Sequence, residues 1–346
     1  MNYKEIGNTG VKVPPVVFGT SALGNLYQAW PQETKLEIIK ALIDAFDGPV
    51  ALDSAGKYGA GLALESIGRG LKTLGVSPDR AVISNKLAWR RAPLTTPEPT
   101  FEPGVWFGIE HDAVQDISYQ GIMDCWEEGC ALLGGEYPTQ MVSVHDPDEY
   151  LDSADDKTDR QKKFEDILDA YRGLADLKKQ GKVSAIGIGA KDWRSIYDVT
   201  REVDLDWVMF ANSMTLYSHP TELLSFMDEL QEKNIAIINS AVFNAGFLTG
   251  GDFYNYRKLD PNDAEDQKIF QWRKTFFTLC EKFEVTPASA CVQFGQSHPG
   301  VLSLALSTSK PARVAQNIDL VNAKMPPDFW ATLKEEGLLD SAYPHL

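Results

Sequence analysis

The feature that most constrains this fold is a rhythm of eight short apolar runs. They are PPVVFGT (14–20), PVALDS (49–54), RAVISNK (80–86), QMVSVHD (140–146), VSAIGIG (183–189), DLDWVMFAN (204–212), IAIINSA (235–241) and VLSLALS (301–307). Unbroken Val, Ile and Leu runs of this length suit parallel strands covered on both faces. Helical patterns lie between most of them: TKLEIIKALIDAF (34–46), FEDILDAYRGLADLKKQG (164–181) and TELLSFMDELQEKN (221–234). The last two space apolar residues at i, i+3 and i+4, and stop at Gly181 and Asn234, residues suited to a helix C-terminus. Thr221 is read as an N-cap, with Leu224 turned inward. Eight strands alternating with helices over 346 residues predict an α/β fold, a (β/α)8 barrel forming a single domain, 1–346. The competing fold is a doubly wound open sheet. Its Gly-rich fingerprint is missing, since Gly59-Ala60-Gly61 and Gly187-Ile188-Gly189 both lack a third glycine at the required spacing.

Before the first run, YKEIGNTGVKV reads as a β-hairpin turning at Asn8-Thr9-Gly10 and capping the closed end of the barrel. Two connections are too long to be simple. One runs from Leu87 to about Gly121 and carries Trp89, Phe101, Trp106 and Phe107; the other runs from Phe247 to about Pro261. Long loops in compact domains tend to be functional or disordered, and the aromatics favour function. The charged stretch DSADDKTDR (152–160) reads as a solvated surface excursion.

Composition enters by exclusion. A formal net charge of -16 and a pI near 4.8 argue against phosphate backbones and anionic membranes as partners. The N-terminal MNYKEIGNTG has no apolar core of a signal peptide, and no run approaches the roughly 18 apolar residues of a membrane span. Cys125, Cys130, Cys280 and Cys291 form no CxxC pair and are read as reduced thiols of a cytoplasmic protein. The five histidines are scattered, so no metal cluster is expected.

In a barrel of this kind, catalytic groups sit at the C-terminal strand ends. Three consecutive strands end on Asp53, Lys86 and His145, and Tyr58 follows Asp53 by five residues. Each alone has a bland explanation: a turn aspartate, a solvated lysine, a structural histidine, a packed loop tyrosine. On adjacent strands they converge on one side of one barrel mouth. Free tyrosine titrates near 10, and a buried ammonium beside it would favour the phenolate. Asp53 would hold Lys86 charged, and His145 would orient a substrate oxygen. Ala55 and the glycines at 56, 59 and 61 are expected to let this loop run close to a cofactor while presenting Tyr58. Such a site moves one proton at a carbonyl or alcohol oxygen. Without a nucleophile or metal cluster, that chemistry implies a hydride partner, a nicotinamide cofactor.

The stretches GTSALG (19–24), LDSAGKYGAG (52–61), ISNK (83–86), SVHD (143–146), LKKQGKVSAIGIG (177–189) and PARVAQN (311–317) resemble the aldo-keto reductase superfamily over nearly the whole chain. That resemblance implies an acid, tyrosine, lysine and histidine tetrad at Asp53, Tyr58, Lys86 and His145, and NAD(P) bound extended without a Rossmann domain. HDPD (145–148) and VFNAGFLTGGDFYNY (242–256) are similar to the branch containing D-threo-aldose 1-dehydrogenase, also called L-fucose dehydrogenase, with L-galactose and pyridoxal dehydrogenases. The cofactor contacts it implies are Gly19, Thr20, Ser21, Asp53, Asn212, Ser240, Phe243, Asn244, Gly246, Leu248, Ser307, Thr308, Arg313, Gln316 and Asn317. Trp30, Trp89, Trp106 and Tyr256 are the implied substrate contacts.

The chain departs from the family pattern in three places. Gly189-Ala190 stands where many members carry Ser-Asn, which leaves Asn212 for the carboxamide. Ser240-Ala241 replaces a frequent aromatic or proline-bearing turn. Ser307-Thr308-Ser309 stands where NADP-preferring members often have a lysine, and Arg313 is retained, so NAD is modestly favoured. The reading is an NAD(P)-dependent oxidation of an aldose such as L-fucose at C1, giving the lactone. The alternatives are a broad NADPH-dependent aldehyde or ketone reductase and a non-catalytic cofactor-binding regulatory subunit. The partner expected is a small sugar or aldehyde; an oligomer is compatible with the sequence.

Overall fold

The computed structural model describes residues 2–346. Its centre is a closed barrel of eight parallel strands: β1 (Val16–Gly19), β2 (Val50–Ala55), β3 (Ala81–Leu87), β4 (Met141–His145), β5 (Ala185–Ala190), β6 (Trp207–Ala211), β7 (Ala236–Ser240) and β8 (Val301–Ser307). Neighbours around the barrel are neighbours in the chain, and β8 closes on β1 with Leu304 opposite Val16. All eight apolar runs are therefore strands of one sheet. Helices follow in turn on the outside, including Gln32–Asp44, Leu62–Thr73, Tyr119–Leu132 and Lys157–Lys179.

The two faces of each strand do different work, because side chains alternate along it. Leu52, Ile83, Val142, Val144, Ile188 and Phe210 face the helices in the main core. Ala51, Val82, Met141, Ala185, Trp207, Met209 and Ile238 point into the barrel and fill its lower half. Trp207 is fully buried there, and it fits because Gly187 opposite has no side chain: a Cβ on Gly187 would lie 2.1 Å from the indole. The N-terminal hairpin pairs Lys4–Glu5 with Lys12–Val13 and presses Ile6, Val11 and Val13 into this lower plug, sealing the bottom.

Several local expectations change. Thr221 is the first helical residue, not the cap; Pro220 precedes it, and Leu223 rather than Leu224 is fully buried. Leu224 is half-buried against the same core, so both leucines turn inward. The 152–160 stretch is largely helical: a short helix ends at Asp152, and Asp156 caps the Lys157–Lys179 helix by accepting from the Thr158 and Asp159 amides. The stretch is mostly exposed, as the reading of a solvated surface excursion requires, and Asp156 within it also caps a helix start. The long connections are also built. Trp89–Pro93 pairs antiparallel with His111–Gln115, and Phe253–Tyr254 pairs with Arg257–Lys258. None of the four cysteines is disulfide-bonded.

Candidate active site

The same alternation that points Ala51, Val82 and Met141 into the barrel brings Asp53, Lys86 and His145 inward, one or two pleats higher. All three are at least nine-tenths buried. The Lys86 ammonium pairs with the Asp53 carboxylate. Ser84 Oγ donates to the other Asp53 oxygen at 3.2 Å. The Thr20 amide (3.0 Å) and hydroxyl (2.9 Å) both donate to the Asp53 carbonyl, fixing that strand end from behind. Lys86 Nζ lies 4.6 Å from the centroid of the Tyr58 ring, and the His145 ring meets Tyr58 edge-on at 5.5 Å. The four groups thus form one cluster.

The loop that carries Tyr58 is shaped by its neighbours. Gly59 has φ +62°, and a Cβ on it would lie 2.2 Å from the Gly24 carbonyl oxygen; one on Gly56 would lie 2.4 Å from the Trp89 carbonyl oxygen. Gly56 and Gly59 thus make room for the adjacent loops packed against this one.

Burial sets the electrostatics. Desolvation pushes the Tyr58 phenol above its ordinary value, and the Lys86 ammonium pulls against that without overcoming it. Net lowering by Lys86, the sequence expectation, does not follow, because desolvation of the phenol outweighs the pull of the ammonium. Burial works against the Lys86 ammonium too, but Asp53 and the phenol outweigh it and raise its pKa. Burial lowers His145 to about 3, so the imidazole is neutral at physiological pH. Asp146, next along, stays a carboxylate: burial opposes its charge, but His145 and the Lys57 ammonium hold its pKa well below the usual range.

These groups line a cavity of about 360 Å³ at the C-terminal mouth of the barrel. Of the sequence-assigned cofactor contacts, Gly19, Ser21, Asp53, Ser240, Phe243, Gly246 and Ser307 line it. Thr20 does not, its hydroxyl being spent on Asp53. Asn212, with φ +60°, stands at the end of β6 with Oδ1 buried and unpartnered; Asn244 is fully buried with its Oδ1 in the same condition. The Leu248 side chain belongs to the core. Thr308 closes a turn onto Lys310, Asn317 donates to the Ser307 carbonyl, and Arg313 and Gln316 are exposed on the Arg313–Asn322 helix.

Of the assigned substrate contacts, only Tyr256 reaches the cavity wall. Trp89 and Trp106 pack with Phe101 and Ala113 in a separate cluster of the 89–115 hairpin, Trp106 lying 5.8 Å from the Tyr58 ring. Trp30 is half-buried, with its amide on Asn25 Oδ1. Of the aromatics after β3, Trp106 thus packs on the Tyr58 ring, with Phe101 and Trp89 behind Trp106 in the same cluster. Sequence reasoning missed Leu26, Asp146 and Lys191, all of which line the cavity. Asp146 and Lys191 carried a signal: each directly follows a strand end. Leu26 had none.

Comparison with known proteins agrees with this geometry. A pyridoxal 4-dehydrogenase of Microbacterium luteolum is 28% identical over 97% of this chain and 97% of its own length. A D-threo-aldose 1-dehydrogenase of a Pseudomonas species is 28% identical over 95% of this chain and 96% of its own. The solved structure of a glycerol dehydrogenase from Gluconobacter oxydans superposes with a TM-score of 0.68 at 18% identity, covering 99% of this chain and 97% of the other. The aldo/keto reductase family model matches residues 15–336, and the chain belongs to that family.

Proposed function

We propose that the protein is an NAD(P)-dependent dehydrogenase that oxidises an aldose at C1 to the lactone, with Tyr58 as general acid/base. The observation that carries this reading is the Asp53–Lys86–Tyr58–His145 cluster at the floor of the cavity. The coarser statement rests on the family itself: an oxidoreductase acting on small sugar or aldehyde substrates with a nicotinamide cofactor. The residues present suit that cofactor. The buried, unpartnered Oδ1 of Asn212 offers an acceptor for a carboxamide N–H. Gly19 and Gly246 leave cavity wall without bulk, and Ser21 and Ser307 offer hydroxyls.

When bound, the nicotinamide supplies the hydride acceptor. The protein's residues handle the proton. In the oxidising direction Tyr58 first gives up its own proton to solvent, and the phenolate, stabilised by the Lys86 ammonium that Asp53 keeps in place, then takes the proton of the C1 hydroxyl. Neutral His145 donates one hydrogen bond to the substrate oxygen without competing for its proton. The lack of a lysine at Ser307-Thr308-Ser309 favours NAD, while Arg313 remains free to meet a 2′-phosphate.

A second reading, reduction of simple aldehydes or ketones, is favoured by one specific fact: burial holds Tyr58 as a protonated phenol, ready to donate. One assay separates the readings. L-Fucose and other D-threo-aldoses with NAD or NADP are compared with an aldehyde panel and NADPH. Sugar oxidation at least tenfold more efficient supports the first reading. The reverse supports the second, and cofactor binding with no turnover on any of them supports a binding subunit.

A further inference from the structure

Lys57 stands beside Tyr58 in the chain, yet the proton path makes no use of it. Its side chain is 4% exposed, and its ammonium meets three carboxylates: Asp146 Oδ2 at 2.7 Å, Glu102 Oε1 at 2.9 Å and Glu149 Oε2 at 3.5 Å. These come from three places: Glu102 from the tip of the long connection after β3, Asp146 from the end of β4, and Glu149 from the helix that follows. The Trp89 ring closes a fourth side at 4.9 Å. Burial disfavours the ammonium, but Asp146 and Glu102 outweigh it, so Lys57 stays charged.

The contacts continue inward on both sides. Glu102 Oε2 accepts from Trp106 Nε1 at 2.7 Å, and Trp106 packs on Tyr58. Asp146 Oδ2 lies 3.6 Å from His145 Nε2. The base of the hairpin has its own ties, Arg91 to the Ala60 carbonyl and to Glu65. The tip, around 100–107, is held from within by Asp112, which accepts from the Thr100 amide and hydroxyl. Its charged tie to the barrel is Glu102 on Lys57, beside the backbone bridge between Leu26 and Trp106.

We propose that Lys57 is a positioning residue: its buried ammonium is the common counter-ion that pins the tip of the aromatic connection, through Glu102 and Trp106, against Tyr58 while fixing Asp146 beside His145. The inference rests on the catalytic reading above only for its effect on turnover. Pinning of the tip stands apart from it.

The test measures both. In Lys57→Met, amide hydrogen exchange of segment 100–107 rises at least tenfold. The kcat for L-fucose falls at least tenfold, KM rises less than kcat falls, and the Kd for NAD stays within twofold. Lys57→Arg, which keeps the charge, recovers part of the kcat. Glu102→Gln leaves Lys57 paired with Asp146 and Glu149 and raises the same exchange with a milder loss of turnover; it decides the matter should Lys57→Met not fold. Unchanged exchange at 100–107 in both variants overturns the proposal. So does faster exchange with kcat within twofold of wild type. A wild type inert toward L-fucose sinks the sugar reading, while exchange still decides whether Lys57 pins the tip.

Discussion

At the scale of single residues, the site is a problem in burying charge. Asp53 and Lys86 tolerate burial because each answers the other, and Ser84 and Thr20 satisfy the oxygens that remain. Tyr58 has no such full compensation, which is why its proton is held tightly. Tyr58→Phe is therefore expected to lower kcat by about a hundred- to ten-thousandfold, the range for losing a general acid/base. Cofactor Kd, read by fluorescence quenching, should stay within twofold; near-normal turnover would sink the assignment of Tyr58. His145 makes a prediction about stability. It titrates near 6.5 unfolded but at about 3 folded. Its contribution is complete above pH 6.5 and is lost as pH falls toward 3, because the unfolded chain binds a proton that the native state refuses. The slope approaches about 1.4 kcal/mol per pH unit. Urea melts of His145→Gln between pH 7 and 4 should show a shallower acid limb than wild type; parallel limbs would refute the neutral imidazole.

At the scale of elements, the strands place the site and the loops shape it. Asp53, Lys86 and His145 were legible because each stands at or near a strand end. The pleat parity that turns them inward was equally available, from Ala51, Val82 and Met141 two or four residues earlier. The roles of Trp89 and Trp106 were not legible. Aromatics in a long connection pack as well against a neighbouring loop as against a ligand, and only their tertiary neighbours distinguish the cases. The DSADDKTDR stretch is mostly exposed as expected, but its cap was not legible for a related reason: Asp156 looks like any surface acid until the amides of Thr158 and Asp159 are seen to point at it. Asp156→Ala is expected to cost about 1 kcal/mol in chemical denaturation without changing kcat. No loss of stability would show the cap to be redundant.

For the whole molecule, the closed sheet leaves two ends with opposite fates. The upper end opens as the site cavity; the lower end is plugged by Trp207, Met141 and Met209 and sealed by the N-terminal hairpin. Ile6 is fully buried in that seal, so Ile6→Ala should cost about 2–5 kcal/mol while leaving sugar and cofactor kinetics near wild type. An effect on KM larger than that on stability would mean that the two ends are coupled. Gly187→Ala drives a methyl into Trp207 and is expected to cost about 1–3 kcal/mol by overpacking, measured the same way.

The sequence by itself determined the barrel, its eight strands, the hairpin at its foot, the family and the grouping of Asp53, Tyr58, Lys86 and His145. Each rests on a local signal, a periodicity or a residue at a strand end, and a short stretch of chain carries such a signal whole. Only the tertiary structure decided that Leu26 lines the cavity, that Lys57 joins three carboxylates, that Trp106 packs on Tyr58, and that burial rather than Lys86 governs the phenol. Those facts depend on desolvation and on distances between residues 40 to 90 positions apart, such as Lys57 and Asp146. Charge and contact at that range are set by packing, which no short stretch of the chain contains.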